Sequence, residues 1–205
     1  MKLAAAAGSF LVFLARLITG AQGHWHGCPP KAEQRIYFAN HQSHFDWVLL
    51  WAALPQDLRA TTRPIAARDY WTSSPFKHWI TREIFNAVYV SRQRTDDEDP
   101  LEPLMQALRN GDSLVIFPEG TRGHGVDPAP FKSGLYHLAM VFPQVQLIPA
   151  WISNVQRVMP KGEVIPVPLL CSVTFGAPLQ MAPGEDKSTF LERARHDVIA
   201  LREVE

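Results

Sequence analysis

Cysteine is scarce. Cys28 and Cys171 are the only two in 205 residues, too few for a disulfide framework, and the usage fits a reducing compartment. Neither sign of charge is in excess, with 20 Lys and Arg against 20 Asp and Glu, so bulk charge gives no basis for a nucleic-acid partner. No apolar run reaches the roughly 20 residues of a helical bilayer crossing, which excludes a polytopic membrane protein. Internal repeats and low-complexity tracts are absent. The 46% hydrophobic and 20% charged fractions are ordinary globular values and exclude a disordered or collagen-like chain. A G-x-S-x-G nucleophile elbow and a Walker phosphate loop are also missing. Glycine (12) is outnumbered by proline (17), which predicts rigid turns between short elements. The length fits one domain with room for an appendage.

What is present begins with an apolar amino terminus. Leu3 to Ala15 is thirteen residues without a charge, and Arg16 interrupts before Leu17 and Ile18. Lys2 would serve as the charged start of a signal peptide, but no small-x-small cleavage site follows. A buried core helix is the plain reading. An interfacial or shallowly inserted helix fits better, with the Arg16 stem carrying its guanidinium to the headgroups. Gly23-His24-Trp25-His26-Gly27-Cys28-Pro29-Pro30 then supplies an indole and turn residues, as where a chain leaves an interface. Residues 1–30 are therefore expected to form a membrane-associating helix and linker, and residues 31–205 the main domain. His24, His26 and Cys28 alternate as metal ligands can, but no second ligand pair stands at a defined spacing, so no metal is expected.

From residue 35 onward short apolar strands alternate with helical segments. Strands are expected at residues 35–39, 62–66, 87–90, 113–117, 145–152 and 169–175, the second weakened by Pro64. Helices are expected at residues 45–54, 75–85, 133–142 and 188–203. The last places Phe190, Leu191, Ala194, Val198 and Leu201 on one face. The acidic run Asp96 to Asp99 precedes Pro100 and a helix through Leu108, closed by Asn110-Gly111, and reads as a dipole-matched cap. The pattern predicts a single α/β domain with a mainly parallel or mixed central sheet flanked by helices.

Two polar constellations follow predicted strands, where open α/β sheets place their sites. The first is Asn40-His41-Gln42-Ser43-His44-Phe45-Asp46. Five residues from His41 to Asp46 suit a strand-to-helix turn in which the carboxylate accepts from one ring nitrogen and leaves the other to take a proton. Helix capping beside a satisfied histidine is the plain alternative. The second is Phe117-Pro118-Glu119-Gly120-Thr121-Arg122. Gly120 permits a close or left-handed backbone, Thr121 offers a hydroxyl, and Arg122 can grip a phosphate through paired hydrogen bonds. Glu119 either receives a bond from an acceptor hydroxyl or holds the loop through backbone N–H groups. Lys132 reads equally as a phosphate attractor or a solvated loop lysine. Trp47, Trp51, Trp71, Trp79 and Trp151 read as core or interfacial packing rather than a cofactor box.

His41-(x)4-Asp46 followed by Phe117 to Arg122 resembles the glycerolipid acyltransferase family, whose best-known members are the lysophosphatidate acyltransferases. Val88-Tyr89-Val90-Ser91-Arg92 is similar to the family's second block, although Asn86 stands where that block opens with glycine. Leu147-Ile148-Pro149-Ala150 is similar to the fourth block, and Phe131-Lys132-Ser133-Gly134 to the segment after the third. The resemblance covers about residues 35–155. It implies His41 as general base and Asp46 as its orienting partner. It implies Arg92 and Arg122 as phosphate holders, with Glu119, Gly120 and Thr121 shaping the acceptor pocket. The implied reaction moves a fatty acyl group from acyl-CoA or acyl carrier protein to a lysophospholipid hydroxyl, foremost 1-acylglycerol-3-phosphate, in phospholipid biosynthesis. No metal or other cofactor is needed for an activated thioester. Oxyanion donors are not legible, and backbone N–H groups near the start of the helix at 45–54 are one candidate. A membrane surface is the expected partner, nucleic acid is not, and the expected location is the cytoplasmic face of the inner or plasma membrane.

Two other classes stay open. A metal-dependent hydrolase would use His41, His44 and Asp46, with His24 and His26. A noncatalytic membrane adaptor would keep the fold alone.

Overall fold

The computed structural model describes residues 22–43, 45–91, 99–123, 125–153 and 171–204, together with Gly8, Phe10 and Phe13. Seven strands form one sheet: β1 (Gln22–Trp25), β2 (Arg35–Ala39), β3 (Thr62–Ala67), β4 (Val88–Val90), β5 (Ser113–Ile116), β6 (Gln146–Ile152) and β7 (Ser172–Phe175). Their order is β1-β7-β6-β2-β5-β3-β4. Only the β6–β7 pair is antiparallel, so the sheet is mixed. Every residue of the central strands β2 and β5 is buried, as strands covered on both faces should be.

Alternation along β2 divides the core. Tyr37 and Ala39 face one layer with Val115 and Ile148, where α1 (Asp46–Ala53) packs through Leu49, Leu50 and Ala53. Ile36 and Phe38 face the other with Leu114 and Ile116. There α5 (Glu102–Arg109), α6 (Gly134–Val141) and α7 (Lys187–Ala200) bring Leu104, Leu135, Leu138, Phe190, Ala194 and Val198. Between α1 and β5 the chain adds α2 (Gln56–Thr61), α3 (Arg68–Trp71) and α4 (Pro75–Trp79). The helix after β2 and the helix after β5 thus lie on opposite faces. Adjacent strands whose connections part this way leave a crevice at their carboxyl ends.

The structure corrects the sequence reading in several places. Gln22–Trp25, expected in a linker, is an edge strand paired in parallel with β7. Its polar QGHW sequence hides that role, and Gly23 fits because a Cβ there would stand 2.9 Å from the Ala53 carbonyl oxygen. Trp25, half-buried on this strand, stacks on Phe175 with ring centroids 4.0 Å apart. The helix expected over 75–85 is α only to Trp79 and then a π turn over Ile80–Ile84. The Thr81 hydroxyl donates within this turn to the Lys77 and His78 carbonyls, a back-bond that competes with the α ladder. The short helices α2 and α3 carry too little periodicity to be read. Asp96 to Glu98 lie outside the described residues, while Asp99 accepts from the Leu101 N–H at 2.9 Å just before α5.

The expected membrane-associating helix falls almost wholly outside the described residues. Within it Gly8, Phe10 and Phe13 are helical, Phe10 and Phe13 are exposed, and Gly8 faces Ile84 and Trp51. No helix among the described residues is long and apolar enough to cross a membrane.

Asp186 caps α7. Its carboxylate accepts from the Ser188 and Thr189 hydroxyls and from both backbone N–H groups. These bonds, the Ser188 hydroxyl foremost, hold its pKa below the usual carboxylate range. A depressed folded-state pKa stabilises fully above the unfolded value near 3.9, and that contribution is lost as pH falls through the lower folded value. Asp186→Ala is therefore expected to lower the thermal midpoint at neutral pH and to converge with wild type in strong acid. Melting curves separated equally at all pH values would refute the capping account.

Candidate active site

Register brings the two polar constellations together. Phe38 of β2 pairs with Ile116 of β5, so residues three further along each strand leave the sheet side by side. His41 and Glu119, 78 positions apart in sequence, meet there: the His41 backbone N–H donates to Glu119 Oε1 at 2.7 Å. Asn40 fixes the exit from β2. Its buried side chain donates to the Ile152 carbonyl at 3.0 Å and accepts from the Ile152 N–H at 2.8 Å. The amide thereby occupies the next ladder position between β2 and β6, and the main chain turns out of the sheet at His41.

Asp46, one helical residue into α1, is 1% exposed. Its Oδ2 accepts from His41 Nδ1 at 2.9 Å, Gln42 N at 2.6 Å and Ser43 N at 2.8 Å. Three donors on one oxygen lock the turn and fix the ring. With the carboxylate accepting, Nδ1 carries the proton and Nε2 is left as the basic nitrogen. Phe117 stacks on the imidazole with centroids 4.3 Å apart, which restrains the ring from its flat side. The carboxylate oxygen that receives the turn's N–H groups is thus the one that receives the ring N–H.

Glu119 is 3% exposed, and both its oxygens are taken by backbone donors. Oε2 accepts from the Ala129 N–H at 2.8 Å, opposite the His41 contact on Oε1. The Gly123 N–H donates to the His41 carbonyl at 2.7 Å, so this loop grips the His41 peptide on both sides. Of the two readings of Glu119 left open by the sequence, the geometry is that of the loop holder. Gly120 has φ +69°, a conformation glycine adopts without cost, and the Lys132 side chain crosses its bare face. Thr121 is exposed, and Arg122 is half-buried next to it.

A cavity of about 640 Å³ opens beside His41 on the α5–α6 face of the sheet. Its mouth is polar, with His41, Ser91, Thr121 and Lys132, and its depth is apolar, with Leu104, Ile116, Leu135 and Leu138 among its walls. Such a shape accepts an extended apolar chain with its polar end at the imidazole. Arg92 and His44 lie outside the described residues. Asn86 has φ +48°, so the turn before β4 takes the left-handed form that glycine would give, and asparagine is among the few side chains that tolerate it. Among the described residues no three His, Cys, Asp or Glu side chains are grouped closely enough to hold a metal ion.

Sequence reasoning placed His41 with Asp46 and grouped Glu119, Gly120, Thr121 and Arg122. It missed what Asn40 and Phe117 do, and it left Lys132 between two readings without its contact with Gly120. The position of Asn40 between an apolar strand and a histidine was a usable signal; the Phe117 stack and the Gly120–Lys132 contact had none.

Known proteins resemble this chain in sequence and in fold. The profile of the Acyltransferase family matches residues 27–153. The human 1-acyl-sn-glycerol-3-phosphate acyltransferase alpha is 31% identical over 178 residues, covering 84% of this chain and 60% of the human protein. The 1-acyl-sn-glycerol-3-phosphate acyltransferase of Haemophilus influenzae is 32% identical over 136 residues, covering 63% of this chain and 53% of that protein. The chain thus spans only part of these relatives' length. The crystal structure of the 1-acyl-sn-glycerophosphate acyltransferase from Thermotoga maritima superposes with a TM-score of 0.74 at 22% identity, over 97% of this chain and 78% of that one, and shows a shared fold.

Two substitutions test the frame around His41. Glu119→Gln presents an amide N–H to a backbone donor and is expected to cost about 1.5–3 kcal/mol, the range for a lost bond to a charged group. Asn40→Asp sets an acceptor against the Ile152 carbonyl and is expected to destabilise by about 1–3 kcal/mol. Denaturant unfolding of each variant measures both, and wild-type midpoints would show that the frame is held by other groups.

Proposed function

The chain belongs to the Acyltransferase family, and from that premise we propose that it transfers a fatty acyl group from an acyl thioester to the hydroxyl of a lysophospholipid. The acceptor we assign is 1-acylglycerol-3-phosphate, and the donor is acyl-CoA or acyl carrier protein. The observation that carries this reading is the His41–Asp46 pair at the polar mouth of an apolar cavity. The relatives' names support the acceptor class.

His41 Nε2 removes the proton from the acceptor hydroxyl as its oxygen adds to the thioester carbonyl carbon. Asp46 Oδ2 holds the Nδ1 proton and stabilises the imidazolium that forms. Collapse restores the carbonyl and expels the thiolate, which takes the proton from the imidazolium. No covalent enzyme intermediate is required, because the thioester is already activated. General-base help of this kind supplies about 10²–10⁴-fold, and alignment of the two substrates supplies much of the rest. Arg122, with Arg92, is assigned to the acceptor's phosphate, and Gly120 and Thr121 to the pocket wall. The apolar amino terminus is assigned to a membrane surface, where the lipid acceptor resides, at the cytoplasmic face of the inner or plasma membrane.

Purified full-length chain incubated with acyl-CoA or acyl carrier protein and a panel of lysolipids, with products identified by mass spectrometry, tests the reading. A diacyl product from 1-acylglycerol-3-phosphate is expected, and no acylated product from any pair refutes it. His41→Ala is expected to reduce turnover by about 10²–10⁴-fold with the fold intact, and wild-type turnover in that variant would remove the histidine from the mechanism.

A further inference from the structure

Acyl transfer by this route places negative charge on the thioester carbonyl oxygen, and some group must receive it. The N–H groups nearest the start of α1 are already committed. Those of Gln42 and Ser43 donate to Asp46, that of Phe45 donates to the Ser43 hydroxyl, and that of Asp46 donates to the Ser43 carbonyl. The four N–H groups that flank the His41–Asp46 turn are thus occupied, and the cavity holds a charged donor of its own.

Lys132 is the one charged group besides the titratable His41 among the described residues lining the cavity. Its backbone N–H donates to the Pro118 carbonyl at 2.9 Å, which ties it to the end of β5. Its stem lies flat against Gly120: a Cβ built there would stand 2.7 Å from Nζ, 2.9 Å from Cδ and 3.0 Å from Cε. Any residue but glycine at 120 would displace the ammonium as well as strain the turn. Glu119, the acid nearest in the loop, has both oxygens bound to backbone donors. No described carboxylate forms an ion pair with Lys132. The side chain is exposed at the cavity mouth, without an ion-pair partner among the described residues, and a substrate lying over it would desolvate its charge.

We propose that Lys132 is a catalytic residue that receives the oxyanion of the tetrahedral intermediate, an inference that rests on the acyl-transfer reading. As the acceptor oxygen bonds to the carbonyl carbon, its proton passes to His41 Nε2 and the carbonyl π pair moves onto oxygen beside the Lys132 ammonium. When the carbon–sulfur bond breaks, that pair returns to re-form the carbonyl, and the thiolate leaves with the proton from the imidazolium. Position favours the oxyanion over the acceptor's phosphate. A chain held among Leu104, Ile116, Leu135 and Leu138 must present its carbonyl at the mouth shared by His41 and Lys132. Arg122 is not part of that cavity's wall and is left for the phosphate.

The test compares wild type, Lys132→Met and Lys132→Arg as full-length proteins, measuring kcat, KM for both substrates and the thermal midpoint. Methionine keeps the stem and removes the charge from an exposed side chain, so the midpoint is expected to hold. The kcat of Lys132→Met is expected to fall about 10²-fold with KM for the acceptor within about threefold, and arginine to recover part of the loss. A kcat within about threefold of wild type overturns the proposal. A rise in acceptor KM at unchanged kcat overturns it too, by assigning Lys132 to the phosphate. A wild-type protein that acylates no lysolipid overturns the acyl-transfer reading and this inference together, whereas an active wild type beside an equally active Lys132→Met overturns this inference alone.

Discussion

Glu119 has each carboxylate oxygen occupied by a backbone N–H, one from His41 and one from Ala129, in a place almost closed to water. That arrangement ties the exit of β2 to the exit of β5, and the rest of the site is arranged around it. A buried carboxylate with both oxygens satisfied is a fixed point, since moving either loop would leave a desolvated charge without its donors. The imidazole needs such a fixed point, because a base displaced by an ångström loses much of the benefit of alignment. Asn40 supplies a second fixed point from β6, and Asp46 a third from α1. The base is thus held by one neighbour in sequence, on α1, and by two elements remote from it, β6 and the loop after β5.

The same geometry separates three tasks in space. The face carrying α5 and α6 supplies an apolar cavity, the opposite face supplies the helix that carries Asp46, and the loop after β5 supplies the polar rim. The division follows from the parting of the connections after β2 and β5 to opposite faces. The carboxyl end of α7 reaches the same loop: Arg195 donates to the Pro128 carbonyl at 2.8 Å, and the 3-10 turn Leu201–Glu203 brings Arg202 to Asp127 at 2.7 Å. Arg195 and Arg202 lie beyond residue 153, where the family profile match ends, and their partners lie within it.

Legibility in the sequence tracked the strength of local periodicity. The central strands and α7 were read to within a few residues because long apolar runs and 3.6-residue spacing have few alternative explanations. The edge strand β1 was not, because a four-residue strand with one half-buried side bears almost no pattern, and it exists only by pairing with a strand some 150 positions away. The π turn after α4 was hidden by a threonine whose back-bonding matters only once Pro75 has set the helix start. Asn86 was noted as a departure from glycine, yet its left-handed backbone keeps the turn glycine would have made.

The sequence by itself determined the α/β class, the pairing of His41 with Asp46 across one strand-to-helix turn, and the loop from Phe117 to Arg122. All of these are local, and short-range sterics and hydrogen bonds fix them. Tertiary structure decided that the two loops face each other, that Glu119 serves the backbone, and that Lys132 crosses Gly120 at the mouth of an apolar cavity. These depend on strand register and helix placement, which are set by packing among residues far apart in the chain and leave no local trace.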